Sequence, residues 1–169
     1  MSKLLKRVFL LLSVLSLLAS CSSINSYQAR EYAEWKAKGL EVKEKDETLA
    51  AVLNILPGVG DFYNGDVPNG VVNLLFWPLS VAWAPAGGAQ GAKVRNYHAT
   101  KAHVDSLEKN KKALLSELDT AFMTNMISKK AYIIGKQKIT SMDLIEFRSG
   151  VRLQDVLTAP LNRLPASKK

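Results

Sequence analysis

The sequence predicts a mainly α-helical protein, in which an apolar helical hairpin is followed by a long amphipathic helix and a small C-terminal helical or extended segment. Two apolar runs on either side of a glycine-rich turn indicate the hairpin. Apolar residues that recur at spacings of three and four from Val104 to Ala121 indicate the long helix. Because no charged residue lies between Asp66 and Lys93, the hairpin segment is also a candidate for contact with a membrane.

Residues 1–20 have the pattern of an export signal. Lys3, Lys6 and Arg7 precede an uncharged, leucine-rich run over residues 8–18 that is interrupted only by two serines. This run is too short for a comfortable membrane span and has the length of a signal-peptide core. We therefore expect residues 1–20 to be absent from the mature protein.

The only cysteine of the chain follows directly, in the sequence Leu18-Ala19-Ser20-Cys21. These residues resemble the bacterial lipobox, in which an aliphatic residue and two small residues precede a lipidated cysteine. The resemblance implies diacylglyceryl transfer to Sγ of Cys21, cleavage between Ser20 and Cys21, and acylation of the new amino group. Each buried methylene contributes roughly 0.8 kcal/mol, so two or three acyl chains would hold the protein at a bilayer. The alternative is an ordinary secretory signal with a chance cysteine at the cleavage point.

The composition of the mature chain limits its chemistry and its partners. With Cys21 acylated, no thiol remains for a disulfide, and no cofactor is expected beyond the covalent lipid. Residues 21–92 hold 5 Lys and Arg against 8 Asp and Glu, whereas residues 93–169 hold 15 against 7. A basic, exported half of this kind faces anionic headgroups or an acidic partner, and nucleic acid is not expected.

Residues 21–26 are short and polar, as expected of a tether between the lipid and the folded body. The lipobox resembles that of lipoproteins sorted by an enterobacterial-type system. In that system, aspartate directly after the lipidated cysteine favours retention in the inner membrane. The resemblance therefore implies that Ser22 favours the periplasmic face of the outer membrane, with the inner membrane as the alternative.

Residues 27–48 are predicted to form a charged helix with a break at Gly39. Charges of both signs alternate along it and support a helix through pairs four residues apart, each contributing about 0.2–0.5 kcal/mol. We expect the helix to be solvated, with its aromatic residues against neighbouring structure or headgroups. Its thin apolar stripe consists of Tyr27, Tyr32, Trp35 and Leu40.

Residues 49–91 are predicted to form the apolar helix-turn-helix hairpin. The first helix, over residues 49–56, ends at Pro57, which cannot continue it, and the following glycines allow a tight turn. Asn64-Gly65 is a further turn signal. The most dependable helical part of the second run is residues 70–77, because prolines and glycines beyond it would kink or break a helix. These are Pro78, Pro85, Gly87, Gly88 and Gly91.

The turn resembles that of the small two-transmembrane-helix hairpin domains, whose recurring core is Pro-Gly-x-Gly-x-Phe-Tyr-x-Gly. The matching positions are Pro57, Gly58, Gly60, Phe62, Tyr63 and Gly65. The resemblance implies a hairpin topology and no reaction. The chain departs from the pattern in its short first helix and in the proline at position 78.

A hairpin that crosses the inner membrane twice would place Asp61 and Asp66 in the cytoplasm and leave Lys93 and Arg95 outside, against the positive-inside tendency. We therefore expect a hairpin that lies in the periplasmic leaflet, or that packs against itself and neighbouring helices. A plain buried core hairpin is the alternative. The residues expected at the boundary between apolar surroundings and water are Phe62, Tyr63, Phe76, Trp77 and Trp83.

The basic C-terminal region, residues 92–169, begins with a helix predicted over residues 93–130. Its apolar stripe follows heptad spacing but is interrupted by Lys111, so we expect it to pack within its own domain rather than to form a coiled coil. The stripe contains Val104, Leu107, Leu114, Leu118 and Ala121.

Beyond that helix, β-branched and aromatic residues around Gly135 predict a short hairpin or extended connector over residues 131–140. The sequence from Thr140 to Asp143 resembles a capping box and predicts a helix that Ser149-Gly150 ends. Residues 151–157 are expected to add a helical turn or two, and residues 160–169 to be frayed.

No arrangement in the sequence supports catalysis. His98 and His103 are five residues apart, which does not align them as a metal-binding pair, and the nucleophile elbow and the phosphate-binding loop are both missing. Asp61 and Asp66 are expected to cap helices or to meet a partner's cation.

The sequence therefore predicts a non-enzymatic envelope lipoprotein with a tethering, scaffolding or assembly role. Its expected partners are the lipid bilayer and an envelope protein, with no small-molecule substrate. The alternatives are an inner-membrane protein with true helical spans, and a small periplasmic enzyme or ligand carrier, for which a deep polar pocket would be the sign.

Overall fold

A computed structural model describes residues 23–158, which are mainly helical and include no strand. The predicted mainly α fold, with a long helix and short C-terminal helices, is confirmed. The leader, the cleavage site at Ser20 and Cys21, and the expected frayed tail over residues 160–169 lie outside the described residues.

The helices fall into two compact units. Unit 1 comprises residues 23–36 and 41–100 of the described chain, and unit 2 comprises residues 37–40 and 101–158. The helices are α1 (Ser26–Ala37), α2 (Glu47–Leu53), α3 (Val59–Asn64), α4 (Val67–Leu75), a 3-10 helix (Leu79–Ala82), α5 (Ala84–Met123), α6 (Lys129–Ser141), a second 3-10 helix (Leu144–Ser149) and α7 (Leu153–Thr158). Helix α5 contributes its first part to unit 1 and the rest to unit 2.

The charged helix predicted over residues 27–48 is only half present. Helix α1 ends at Ala37, and Gly39, with φ of +71°, breaks the chain where the break was predicted. Residues 40–46 are not helical. Their backbone is held instead by the side chain of Asn96, whose Oδ1 accepts hydrogen bonds from the backbone N–H groups of Glu44 and Lys45 at 2.9 and 2.8 Å.

Helix α5 begins nine residues before the predicted start at residue 93, so the expectation that Pro85 and three glycines would break the chain is wrong. Pro85 is the second residue of the helix, where its missing N–H has no helical partner to lose. Two of the three glycines allow close packing: a Cβ on Gly88 would lie 2.6 Å from the carbonyl oxygen of Ala50, and one on Gly91 would lie 2.8 Å from Nδ2 of Asn64. At its other end the helix stops at Met123, short of residue 130, and Asn125 adopts a φ of +56°.

The hairpin or extended connector predicted over residues 131–140 is also wrong, because these residues belong to helix α6. Ser128 caps the helix by accepting a hydrogen bond from the N–H of Ala131 at 3.2 Å. Gly135 is buried against Leu118, where an added Cβ would lie 3.1 Å from Cδ1. The cap and this close packing outweigh the weak β propensity of the segment.

The end of unit 2 follows the prediction with one shift. The capping box is centred on Asp143 rather than Thr140, since the N–H of Asp143 donates to Oε1 of Glu146 at 3.1 Å. The helix that follows is a 3-10 helix, and Gly150, with φ of +73°, ends it as predicted. Helix α7 confirms the final helical turns.

The apolar stripe of α5 is buried within unit 2, at Val104, Leu107, Leu114 and Leu118. Lys111 interrupts the stripe without disturbing it, because its Nζ donates to the carbonyl oxygens of Thr140 and Met142 at 3.0 and 2.8 Å. These carbonyls lie at the C-terminal end of α6, where a cation is favoured by the helix dipole.

Candidate functional site

Unit 1 exposes large apolar side chains throughout the hairpin segment. Their exposed fractions range from 39% for Val59 to 75% for Leu75, and the four consecutive residues 74–77 are all exposed. We call the whole set the apolar surface. It consists of Leu49, Val52, Ile55, Leu56, Val59, Phe62, Val67, Val71, Leu74, Leu75, Phe76, Trp77, Leu79, Val81 and Trp83.

The interior of the same segment is polar. Five polar side chains of the segment are at most 6% exposed, and we call them the polar interior: Asn54, Asp61, Asn64, Asn73 and Ser80. By contrast, the buried hydrophobic residues of the described part of unit 1 are only alanine and tyrosine: Tyr32, Ala50, Ala84, Ala92 and Tyr97. The usual arrangement of a water-soluble domain is therefore inverted here. The alternative of a plain buried core hairpin would bury these apolar side chains, which are exposed in the described residues.

Asn54 connects three helices through its side-chain amide. Its Oδ1 accepts hydrogen bonds from the backbone N–H groups of Gly60 and Asp61 at 2.6 and 3.1 Å, near the start of α3. Its Nδ2 donates to the carbonyl oxygen of Ala84, the first residue of α5, at 2.7 Å. One buried side chain thus satisfies two N–H groups that the start of α3 leaves without intrahelical partners, and it also connects α3 to the start of α5.

Asn73 is the centre of a second group of buried hydrogen bonds. Its Nδ2 donates to Oδ2 of Asp61 at 2.6 Å, and its Oδ1 accepts from Nε1 of Trp83 at 2.8 Å. Its backbone carbonyl accepts from Oγ of Ser80 at 2.7 Å. These bonds connect α3, α4 and the first 3-10 helix.

Asp61 is a buried carboxylate for which the described residues provide no ion pair. Burial raises the pKa of this carboxyl group above its usual value, although hydrogen bonds from Asn73 and Asn54 act in the opposite direction. The expectation that both aspartates cap helices holds for Asp66, whose carboxylate accepts from the N–H of Asn69 at 3.3 Å. Asp61 instead lies inside α3 and belongs to the polar interior.

The six residues of the Pro-Gly-x-Gly-x-Phe-Tyr-x-Gly motif do not form one turn. Gly58, with φ of +86°, precedes α3, and Gly65, with φ of +76°, ends it, so a short helix lies where a single turn was predicted. Pro57 is buried. Gly60 lies so close to α2 that a Cβ would collide with the carbonyl oxygen of Ala50. The predicted helix-turn-helix is therefore a helix, two glycine turns around α3, and a further helix.

Four of the five aromatic residues expected at an apolar boundary are exposed, namely Phe62, Phe76, Trp77 and Trp83. Tyr63 is only half-buried: its hydroxyl accepts from the N–H of Asp46 at 3.2 Å, and Nζ of Lys45 lies 4.4 Å from its ring centroid.

None of the helices in the described part of the chain is both long enough and apolar enough to span a membrane.

The described residues offer less support for a metal site or a ligand pocket than for an apolar interaction surface. Residues 23–158 contain no group of three or more His, Cys, Asp or Glu side chains that could hold a metal ion, and His98 is exposed. A depression of about 390 Å³ in unit 2 is lined by residues of α6 alone, including Tyr132 and Lys136, and no carboxylate contributes to it.

Sequence reasoning missed the polar interior. The available signal was the presence of Asn54 and Asn73 inside runs that are otherwise apolar, and of Ser80 in the stretch without charge. Their partners are distant in sequence, since Asn54 bonds to Ala84 thirty residues later.

No protein-family model matches the chain, and comparison with curated proteins and with solved structures finds no match either.

Proposed function

We propose that the chain is a membrane-anchored envelope lipoprotein with a tethering, scaffolding or assembly role and no catalytic activity. The observation that carries the proposal is the apolar surface of unit 1, held over a polar interior whose hydrogen bonds fix its conformation. Exposed apolar runs of this kind mark interaction surfaces rather than ordinary solvated surface.

The lipid on Cys21 is the second element of the proposal. From Cys21 to the start of α1 at Ser26 the chain advances five residues. At about 3.6 Å per residue an extended chain of this length reaches at most about 18 Å. The anchor would therefore keep unit 1 next to the bilayer and raise its effective concentration for membrane-bound partners.

The basic character of unit 2 supports a protein or headgroup partner for this part of the chain. Its described residues hold 11 Lys and Arg against 7 Asp and Glu. Such a surface suits an acidic envelope protein or anionic headgroups. Because Ser22 follows the lipidated cysteine, we place the protein at the periplasmic face of the outer membrane.

Globomycin treatment combined with membrane fractionation tests the proposal. Inhibition of the lipoprotein signal peptidase should cause an uncleaved precursor to accumulate, and the variant Cys21→Ser should lose the lipid-dependent membrane association. If no precursor accumulates, the lipoprotein assignment is wrong. If the mature protein has inner-membrane density, the placement from Ser22 is wrong. A Ser22→Asp variant gives the matched comparison, since it should move a correctly sorted protein to the inner membrane.

A further inference from the structure

The apolar surface has a composition that suits hydrocarbon rather than a protein partner. Between positions 48 and 92 the only charged residues are Asp61 and Asp66. Asp61 is 4% exposed, and Asp66 is engaged at the start of α4 through two hydrogen bonds with Asn69. Protein interfaces normally have a polar rim around their apolar centre. Residues 67–92 supply no charged group for such a rim.

Most of the polar interior meets the strictest requirement of a lipid environment, although Oδ1 of Asn64 is buried without a hydrogen-bond partner among the described residues. In hydrocarbon no water is available, so backbone groups at helix ends must find partners within the protein. Asn54 serves two N–H groups and one carbonyl, and Asn64 donates to the carbonyl oxygen of Gly88 at 2.7 Å. Ser80 serves the carbonyl oxygen of Asn73 in the same way. The bonds from the N–H groups of Gly60 and Asp61 and to the carbonyl oxygen of Asn73 occur where short helices begin and end, which is where water would otherwise be needed.

We propose that the apolar surface lies in the acyl-chain region of the leaflet that holds the Cys21 lipid, as a monotopic insertion of short helices. This inference rests on the proposed function, because the anchor brings unit 1 to the bilayer. The short helices lie within one leaflet and do not cross it. Interfacial helices bury their apolar faces by about 5–10 Å, and we expect a similar depth here.

The tryptophans of the chain allow a direct test with the full-length protein. Trp77 is 63% exposed on the apolar surface, whereas Trp35 stacks on Tyr97 at a centroid distance of 5.8 Å. The variant Trp35→Phe/Trp83→Phe leaves Trp77 as reporter, and Trp77→Phe/Trp83→Phe leaves Trp35. Both share the Trp83 change, so any cost of losing its bond to Asn73 is common to the pair. Circular dichroism compares their helix content.

Each variant is lipidated, reconstituted in vesicles of phosphatidylethanolamine and phosphatidylglycerol, and measured with and without bromine on the acyl chains. Insertion predicts a shift of Trp77 emission to shorter wavelength and strong quenching by the brominated lipid, with much weaker quenching of Trp35. Vesicle-bound protein whose Trp77 is not quenched would overturn the insertion while leaving the lipid anchor intact. Failure of the anchor itself is read separately, from the globomycin experiment.

A second copy of the chain is the competing occupant. The unlipidated Cys21→Ser protein is followed without vesicles over a range of concentrations. If Trp77 emission shifts to shorter wavelength as a dimer forms in sedimentation, self-association covers the apolar surface and the insertion is overturned.

A pair of matched substitutions gives an independent readout. Leu75 is 75% exposed in unit 1 and Met123 is 74% exposed in unit 2. In the Cys21→Ser background, Leu75→Lys should reduce partition into these vesicles by about tenfold or more, because a charge would enter the acyl region. Met123→Lys should change it by less than about twofold. Equal effects of the two substitutions would contradict the assignment of the inserted surface.

Discussion

Asn73 donates its Nδ2 to Oδ2 of Asp61 at 2.6 Å, and both side chains are almost fully buried beneath an apolar surface. The bond joins α3 to α4. It also keeps the one carboxylate of the hairpin interior away from the exposed apolar residues. A buried charge costs free energy unless it is well paired, so this bond has a measurable effect on stability.

We expect Asp61→Asn to keep the contact geometry and to make unit 1 more stable at neutral pH. Because burial raises the pKa of Asp61, the folded protein binds this proton more tightly than the unfolded chain does. The contribution of Asp61 is therefore most favourable below the unfolded pKa of 3.8 and declines as pH rises through the raised folded value. Urea unfolding of both proteins at pH 3 and pH 7 should show a larger advantage of the asparagine variant at pH 7.

The variant Asp61→Ala separates the charge from the hydrogen bond. It removes the acceptor and leaves Nδ2 of Asn73 buried without this partner, which should cost about 1–3 kcal/mol. Asp46→Asn is a control for which the opposite pH dependence of stability is expected, because the pKa of Asp46 is lowered and that of Asp61 is raised. Hydrogen bonds from Lys43 and Leu49 lower the pKa of Asp46, so its contribution is present above pH 3.8 and is lost as pH falls through the lowered value. An asparagine variant at position 61 that is no more stable at pH 7 than the natural protein would contradict the assignment.

Gly60 should not tolerate even one methyl group. An added Cβ would collide with the carbonyl oxygen of Ala50 and approach the side chain of Asn54, so Gly60→Ala should destabilise unit 1 by about 1–3 kcal/mol. Gly87→Ala is the matched control, because no atom lies within 4 Å of the position where its Cβ would be. Because alanine is favoured over glycine within a helix, Gly87→Ala should stabilise unit 1 by about 0.5–1 kcal/mol. Thermal unfolding followed by circular dichroism measures both, and equal effects would show that the close approach of α2 and α3 is not required.

The breaks in the helices were predictable from sequence, whereas the packing between them was not. Gly39, Gly65 and Gly150 all adopt positive φ, and each ends or interrupts a helix where the sequence indicated a break. Gly88 is different, because it lies inside α5 and ends no helix. There the helix passes so close to Ala50 that it needs a residue without a side chain. Local sequence does not distinguish these two uses.

The polar interior was unpredictable for a related reason. Asn54 and Asn73 interrupt apolar runs, and local spacing does not indicate which residues will accept their hydrogen bonds. The partners Ala84 and Trp83 come from later parts of the chain, thirty and ten residues away. The pattern of apolar residues could therefore predict the hairpin, but not that polar side chains would be buried in it and apolar ones exposed.

Lys111 should stabilise unit 2 although it interrupts an apolar stripe. Lys111→Met removes two hydrogen bonds to carbonyl oxygens at the end of α6 and should destabilise the unit by about 1–2 kcal/mol. Lys112→Met is the control, since Lys112 is exposed, and its effect should remain within about 0.5 kcal/mol. Urea unfolding gives both values. A gain in stability with Lys111→Met, together with self-association in sedimentation, would indicate that the stripe forms a coiled coil.

Binding of unit 1 to vesicles should depend little on salt. Its described residues hold 6 Lys and Arg against 8 Asp and Glu, so attraction to anionic headgroups does not drive the insertion. Apolar burial is nearly insensitive to screening, whereas attraction between exposed charges weakens beyond a Debye length of about 10 Å at 0.1 M salt. The Cys21→Ser protein should therefore bind neutral phosphatidylcholine vesicles, and its partition should change by less than about twofold between about 0.1 and 1 M NaCl. A fall of about tenfold, or a strict need for anionic lipid, would assign the membrane contact to the basic unit 2 instead.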